Sequence, residues 1–245
     1  MHISTKIEDR IISWLKKETV KAGARGIVVG LSGGLDSAVA SVLAKRAVGK
    51  NLLCLILPCH TDAKELADVW RVVKKFSLRA KVYDLTRLFD IFIDMVPGIS
   101  RIPRANLKAR LRMCFLYLYA NQFHYLVCGT GNKSELIAGY FTKYGDGGVD
   151  LLPLGDLLKT EIRVIARRIG IPNRIINKAP SAGLWPGQTD EKEMGISYQE
   201  LDKIIAAWEQ KKNPGVPSQK VNKVKRMFEK TRHKREPAKI FRKGQ

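Results

Sequence analysis

Ile27-Val28-Val29-Gly30-Leu31-Ser32-Gly33-Gly34-Leu35-Asp36-Ser37 passes from an apolar stretch, through a glycine-rich turn, into the small-residue run Ala38-Val39-Ala40-Ser41-Val42-Leu43-Ala44. The pattern reads as strand, turn, helix. The first backbone N–H groups of a helix have no partner within it. The helix dipole adds partial positive charge at that end, and glycines let an anion come close to the backbone. Such a turn is a phosphate cradle. The common nucleoside-triphosphate cradle needs Lys followed by Ser or Thr after its last glycine, and no such match occurs in the chain. Here Asp36 and Ser37 stand in that place. A carboxylate beside a phosphate site is repulsive unless a cation lies between them, which points to Mg2+ at Asp36.

Outward from this turn, strands alternate with helices. Before it, Ile7, Ile11, Ile12, Leu15 and Val20 recur at helical spacing over residues 5–22. After it, a helix runs to about Val48, where Gly49 stops it. Residues 51–57 are almost wholly apolar, as in a strand buried on both faces of a parallel sheet. Residues 63–76 predict a helix and 80–83 a third strand. Residues 85–102 read as a short helix and a loop, and 106–121 as a long helix. The approach to that helix is basic (Arg101, Arg104, Lys108, Arg110, Arg112), and its later part is apolar. Residues 125–128 read as a fourth strand, 151–154 as a last one, and 159–169 as a helix ending at Gly170. Residues 177–194 are polar and irregular, and are expected to form a mobile flap that orders over substrate. Two further helices, 197–210 and 220–232, flank a break at Gly215 and Pro217.

These elements define an α/β chain with a doubly wound, mostly parallel sheet followed by C-terminal helices. The expected organisation is one domain over residues 1–245, with a basic helical C-terminal segment over 197–245. In an open parallel sheet, ligands bind at the carboxyl ends of the strands where the strand order reverses. The first and fourth strands are expected to flank that point. The fourth strand opens onto Gly129-Thr130-Gly131-Asn132-Lys133-Ser134-Glu135. Beyond it, residues 139–150 hold four glycines, three aromatics and two carboxylates without periodicity. That density marks a binding loop rather than a plain connection.

The bulk numbers narrow the class. The chain has 245 residues, 45% hydrophobic and 27% charged, ordinary for a globular protein. It has no apolar run near the ~20 residues that span a bilayer and no signal-peptide layout at its start, so a cytoplasmic protein is expected. Cys54, Cys59, Cys114 and Cys128 form no C-x-x-C pair, which argues against a zinc site or a disulfide framework. Net charge is +21, and residues 211–245 hold 13 Lys or Arg against Glu229 and Glu236. Polyanionic small substrates account for such a tail as well as nucleic acid does. Nucleic acid is the weaker reading, because no aromatic interleaving or RNA-binding motif accompanies the charge.

Ser32-Gly33-Gly34-Leu35-Asp36-Ser37 resembles the pyrophosphate loop of the N-type ATP pyrophosphatases, with an adenine nucleotide alpha hydrolase-like fold. The likeness narrows further along the chain. Ala109-Arg110-Leu111-Arg112-Met113, the Gly129–Glu135 turn, Tyr140-Phe141-Thr142-Lys143-Tyr144-Gly145-Asp146-Gly147, Leu152-Pro153-Leu154, Gly195-Ile196-Ser197-Tyr198 and Thr231-Arg232-His233-Lys234-Arg235 follow in order. Together they resemble the NAD+ synthetases, over essentially residues 5–245. The resemblance implies ATP-dependent amidation of deamido-NAD+ to NAD+ through an adenylylated intermediate, with release of AMP and pyrophosphate. It also implies Mg2+ and a homodimer.

Carried over position by position, it places ATP on Gly30, Leu31, Ser32, Gly33, Gly34, Leu35, Asp36, Ser37, Thr130, Lys159 and Ser181. It places Mg2+ on Asp36 and Glu135, and deamido-NAD+ on Arg110, Lys143, Asp150, His233 and Lys234. Asp36, Glu135 and Lys159 are the implied catalytic groups. Many bacterial members have Thr-Ala-Asp where this chain has Ser181-Ala182-Gly183, and Asp-His where it has Gly131-Asn132. The glutamine-using members carry an amidase domain ahead of this one. About 25 residues precede the first strand here, so free ammonia is the expected donor, with a separate glutaminase the other possible source. A tRNA-modifying ATP pyrophosphatase that adenylates a base shares the loop and suits the charge, but gives the tyrosine–glycine loop no role. A regulatory nucleotide-binding module would need neither Asp36 nor Glu135.

Overall fold

A computed structural model describes residues 6–185 and 187–243. The chain runs α1 (Ile7–Lys21), β1 (Gly26–Gly30), α2 (Leu35–Val48), β2 (Leu52–Ile56), α3 (Ala63–Phe76), β3 (Ala80–Val82), α4 (Thr86–Asp94), α5 (Arg101–Phe123) and β4 (Tyr125–Cys128). It continues with α6 (Lys133–Ala138), α7 (Lys159–Ile169), α8 (Asn173–Ile176), α9 (Asp190–Met194), α10 (Tyr198–Gln210), α11 (Ser218–Lys230) and α12 (Arg232–Arg235). The strands form one parallel sheet in the order β3-β2-β1-β4. The order reverses after β1, so β1 and β4 flank the switch point, as their sequence positions suggest.

Both faces of the sheet are covered, and alternate residues serve opposite sides. Ile27 and Val29 of β1, and Leu52, Cys54 and Ile56 of β2, pack into one core with α1, α2, α3 and α7. Val28, Leu53 and Leu55 enter a second core with Phe89 of α4 and Leu111 and Ala120 of α5. Fully buried strands need apolar residues on both faces, which is why β1 and β2 read as unbroken runs. A third cluster joins α6, α10 and α11 around Tyr198, Leu201, Ile204 and Val224. It fixes the C-terminal helices against the edge that carries the switch point.

Several elements differ from expectation for local reasons. α5 starts at Arg101 rather than 106, because Pro103 falls in its first turn, where no N–H is needed. The expected last strand at 151–154 reduces to one parallel bridge, Leu151 to Cys128. Pro153 has no N–H to extend the ladder, and the chain turns at once, with Gly155 N–H donating to Leu152 O at 3.1 Å. Residues 177–194 are not all irregular: α9 forms inside them, with Asp190 and Glu191 in its first turn and Gly195 as its left-handed cap. The helical C-terminal segment ends at Arg235, and residues 236–243 add no helix. Of the readings at the ends, Thr5 in the first helix and Gly244 and Gln245 in the tail lie outside the described residues, as does Pro186 of the flap.

Candidate functional site

The turn after β1 is built by its own side chains. Ser37 Oγ donates to Gly34 O at 3.0 Å and accepts from Ser32 N at 3.2 Å. Ser32 Oγ lies 3.0 Å from Ser37 Oγ and accepts from Gly34 N at 3.3 Å. The first intrahelical bond of α2 is Ala38 N–H to Gly34 O, 3.1 Å, so the amides of Leu35, Asp36 and Ser37 precede the ladder. Gly33 has φ +79°, and a Cβ there would lie 3.0 Å from both Glu65 O and Val69 Cγ2 of α3. Glycine is therefore required by backbone conformation and by space.

Three charged side chains converge beside this turn. Lys159, the first residue of α7, is 4% exposed. Its Nζ donates to Asp36 Oδ2 and to Glu135 Oε1, the latter at 3.2 Å. Glu135 is held by a capping box at the start of α6: its Oε2 accepts from Asn132 N at 3.2 Å, and Asn132 Oδ1 accepts from Glu135 N at 2.9 Å. The start of α7 is pinned in turn by Ser134 Oγ, which accepts from Lys159 N at 3.0 Å, and by Asp202 Oδ2, which accepts from Thr160 N at 2.8 Å. Burial pushes the Glu135 carboxyl up to about 7; Lys159 opposes the rise, and Asp36 and Asp190 add to it. Burial works against the Lys159 charge, but Asp36 and Glu135 outweigh it and hold its pKa above the ordinary lysine value.

Asp190 of α9 joins this cluster from a segment that reads as loop. Tyr198 donates to its Oδ2 at 2.9 Å, and the Tyr198 ring lies under the Lys159 ammonium at 5.0 Å. Burial raises the Asp190 pKa, against the pull of Lys159. The local signal for Asp190 is an acidic pair directly after Gly187-Gln188-Thr189, ahead of Met194 and Ile196.

The glycine–tyrosine loop closes the opposite side. Thr142 N–H donates to Asp146 Oδ1 at 2.9 Å, and Thr142 Oγ1 to Asn106 Oδ1 at 2.9 Å, which ties the loop to α5. Two lysines cross between this loop and the C-terminal segment. Lys234 Nζ donates to Gly139 O at 2.8 Å and Phe141 O at 2.7 Å. Lys143 Nζ donates to His233 O and, at 2.8 Å, to Glu236 O. Arg110 donates to Lys143 O at 3.3 Å. Gly139 is left-handed, and a Cβ on it would lie 2.1 Å from Thr231 Oγ1, so the Thr231 side chain packs directly against the glycine backbone where the loop meets the C-terminal helices.

A cavity of about 470 Å3 joins these parts. Its wall includes Gly30, Leu31, Ser32, Gly34, Leu35, Asp36 and Ser37 of the turn. Thr130, Glu135, Lys159, Ser181 and Lys234 also reach it. Gly33 turns toward α3 instead. Arg110, Lys143, Asp150 and His233 lie outside that wall. Asp150 accepts from Tyr117 OH at 2.9 Å and from Val127 N at 2.7 Å, and so secures the end of β4.

Part of the polar 177–194 segment covers the cavity. Leu184 O accepts from Lys108 Nζ at 3.0 Å, and Arg101 stacks on Trp185 at 4.8 Å. The wall also carries charges that the sequence reading gave no role: Arg112, whose Nε donates to Leu57 O at 3.1 Å, together with Arg163 and Lys178.

The described residues contain no group of three or more His, Cys, Asp or Glu placed to hold a metal. Mg2+ commonly binds through one or two carboxylates plus substrate phosphates and water. Asp36 and Glu135 fit that demand. Both are anionic acceptors sharing one cation, and Asp36 Oδ1 is buried with no hydrogen-bond partner. An orphaned carboxylate oxygen beside a phosphate cradle is a place for a cation.

A family model described as NAD synthase matches residues 7–238. A protein of Archaeoglobus fulgidus named NH(3)-dependent NAD(+) synthetase is 45% identical over 240 residues, covering 97% of this chain and 96% of that protein. Among solved structures, the NMN synthetase from Francisella tularensis superposes with a TM-score of 0.90 at 34% identity, covering 98% of this chain and 99% of that one. The NH3-dependent NAD synthetase from Campylobacter jejuni does so with a TM-score of 0.84 at 28% identity, covering 97% and 98%.

Proposed function

The chain belongs to the NAD synthase family, and from that premise we propose that it amidates deamido-NAD+ to NAD+ with ammonia, at the expense of ATP, releasing AMP and pyrophosphate. The observation that carries the reading is a single cavity that joins the cradle after β1, the Asp36–Lys159–Glu135 cluster and the glycine–tyrosine loop.

The chemistry explains why these parts share one space. Ammonia cannot displace an oxide from a carboxylate. An oxygen of the nicotinate carboxylate therefore attacks the α-phosphorus of ATP, the bond to pyrophosphate breaks, and an acyl adenylate forms. Ammonia then attacks the acyl carbon, the C–O bond to AMP breaks, and the nitrogen loses a proton. The first step brings two anions together, so fixed positive charge has to face them. The amides of Leu35, Asp36 and Ser37 and the start of α2 hold phosphate oxygens. Lys159 keeps its proton and adds a full charge, while Ser181 and Thr130 contact the nucleotide from the cavity wall. Asp36 and Glu135 are the residues that would hold Mg2+, which when bound supplies charge opposite the phosphates.

For the dinucleotide we assign Arg110, Lys143, Asp150, His233 and Lys234. Lys234 faces the cavity, whereas Lys143 and Asp150 act by fixing the loop and the end of β4. Residues 1–245 act as one unit in this reading, with the C-terminal segment part of the site. We also infer a cytoplasmic homodimer. The exposed apolar residues Ile91 and Phe92 of α4 and Ile102 and Leu118 of α5 support a subunit interface, and sedimentation at micromolar concentration tests it.

The assay supplies ATP, Mg2+, ammonium and deamido-NAD+ and measures NAD+, AMP and pyrophosphate. Release of ADP, or turnover that requires RNA, overturns the reading. The tRNA-modifying alternative is not favoured by relatives that match almost the whole chain. A second reading, amidation of the nicotinate mononucleotide, is favoured by the likeness to the Francisella tularensis NMN synthetase. A parallel arm with the mononucleotide decides between them by the ratio of kcat/KM values.

A further inference from the structure

Lys159 and Arg163 stand one turn apart on α7, so their side chains leave the same face of the helix, and both line the cavity. Their electrostatic situations differ. Lys159 is matched by Asp36 and Glu135. Lys178 pairs at 3.3 Å with Asp68, a 3% exposed carboxylate that also binds Arg71 and Arg174 at 2.8 Å each. Lys234 is held by two carbonyl groups, and Arg112 by one. Arg163 has no such match: its Nε is buried and meets no acceptor among the described residues. A buried donor left without a partner is unfavourable, and each such group in a folded protein needs an explanation.

A ligand explains it. A guanidinium is a planar fork of donors suited to phosphate oxygens. The cavity has an unmet need for that charge on the α7 side. The cradle supplies amides and a helix dipole, but Asp36 brings a negative charge to the same place, and Lys159 is already shared between two carboxylates. α2 and α7 pack side by side in one core, and the Lys159–Asp36 pair joins their starts, which brings Arg163 to the cradle's side of the cavity. The glycine–tyrosine loop and Lys234 form the other side. Resting on the functional reading above, we propose that Arg163 binds the β- and γ-phosphates of ATP and then the pyrophosphate product. It is a binding residue for the leaving group, not for the dinucleotide.

The test uses the full chain with Mg2+, comparing wild type with Arg163→Gln and Arg163→Lys. Calorimetry reads the Kd of inorganic pyrophosphate, and kinetics read the KM for ATP and for deamido-NAD+. For Arg163→Gln, the pyrophosphate Kd and the ATP KM should rise about tenfold to a hundredfold, the loss of charge-assisted hydrogen bonds. The KM for deamido-NAD+ should not change. Arg163→Lys keeps the charge without the fork and should fall between the two; it carries the test if the glutamine variant fails to fold. Unchanged pyrophosphate affinity in either variant overturns the role, as does a rise confined to the deamido-NAD+ KM. A wild-type chain that releases no pyrophosphate in turnover overturns the functional reading instead, so the two failures are separable.

Discussion

Replacing Lys159 with methionine removes the cation that Asp36 and Glu135 share while keeping the length and apolar stem of the side chain. The ammonium lies 3.2 Å from Glu135 Oε1, where two unit charges attract by about 5 kcal/mol at an effective dielectric of about 20. Desolvation of the lysine offsets part of that. Removing one partner of a buried pair costs about 3–5 kcal/mol, because a carboxylate is left uncompensated. Glu135 already sits at about 7, so at neutral pH it can take up a proton in the variant, which places the loss near the lower end, about 3 kcal/mol. In a chain of this size each kcal/mol shifts Tm by about 2–4 °C, so a fall of about 6–12 °C is expected.

The sign with pH follows from the same carboxyl. A folded-state value raised above the ordinary 4.5 means that the folded chain binds more protons than the unfolded one between the two values. Stability contributed by that group therefore declines as pH rises through this window. Without the lysine the raised value climbs further, so the deficit of the variant should widen above pH 7 and narrow toward pH 5. Thermal unfolding followed by circular dichroism, at several pH values and with and without Mg2+, measures all of this. Mg2+ should raise the Tm of the variant more than that of wild type, because it replaces the missing charge. A variant Tm within about 2 °C of wild type, or a deficit that grows in acid, would refute the reasoning.

Asp36→Ala should lower pyrophosphate release by at least about a hundredfold to a thousandfold, as expected when a preorganised charge-stabilising contact is lost; continuous detection of pyrophosphate under saturating ATP checks it, and a near wild-type rate would unseat the metal role. Gly33→Ala should destabilise the chain by about 1–3 kcal/mol, because alanine must hold a left-handed φ while its Cβ meets Glu65 O and Val69; urea unfolding that gives less than about 0.5 kcal/mol would show that the turn can relax. Asp68→Asn should cost about 2 kcal/mol rather than the full value of a buried pair, since its cations are a third to more than half exposed and screened by water. Burial works against the Asp68 carboxylate, but Arg174 and Lys178 hold its pKa below 3.8. Its stabilisation is thus complete above about pH 4 and disappears in stronger acid, so the two unfolding curves should converge there, in a lower window than the range of about pH 5 to 7 of the Lys159 case.

The sheet was legible because its determinants are local. The two-sided burial of β1 and β2 forces unbroken apolar runs, and the turn after β1 is legible because glycine, serine and a helix start fix its chemistry within eight residues. What could not be read depends on distant packing. Nothing near Arg163 says that its Nε lacks an acceptor; that follows only from how α7 lies against α2. Asp190 belongs to the Lys159 cluster because α9 and Tyr198 bring it there, although its stretch reads as a polar loop. The hydrogen bonds that Asp150 accepts from Val127 N and Tyr117 OH are not legible in its own stretch, because they require β4 and α5 to be assembled first. Leu151, Leu152 and Leu154 form an apolar run of strand type, but Pro153 among them limits the ladder to the one bridge at Leu151.

The crossed lysines have an effect that reaches past holding the loop in place. Each ammonium rests on peptide carbonyl oxygens, so it is immobilised without being neutralised by an acid. The molecule thereby keeps two positive charges at set positions, held by carbonyl groups, although Asp146 acts on Lys234 and Glu236 on Lys143 through space. The residues after Arg232 act as a fixed electrode rather than as trailing chain. A polypeptide cut at that point would retain its sheet and its cradle but would present a weaker field to an approaching polyanion.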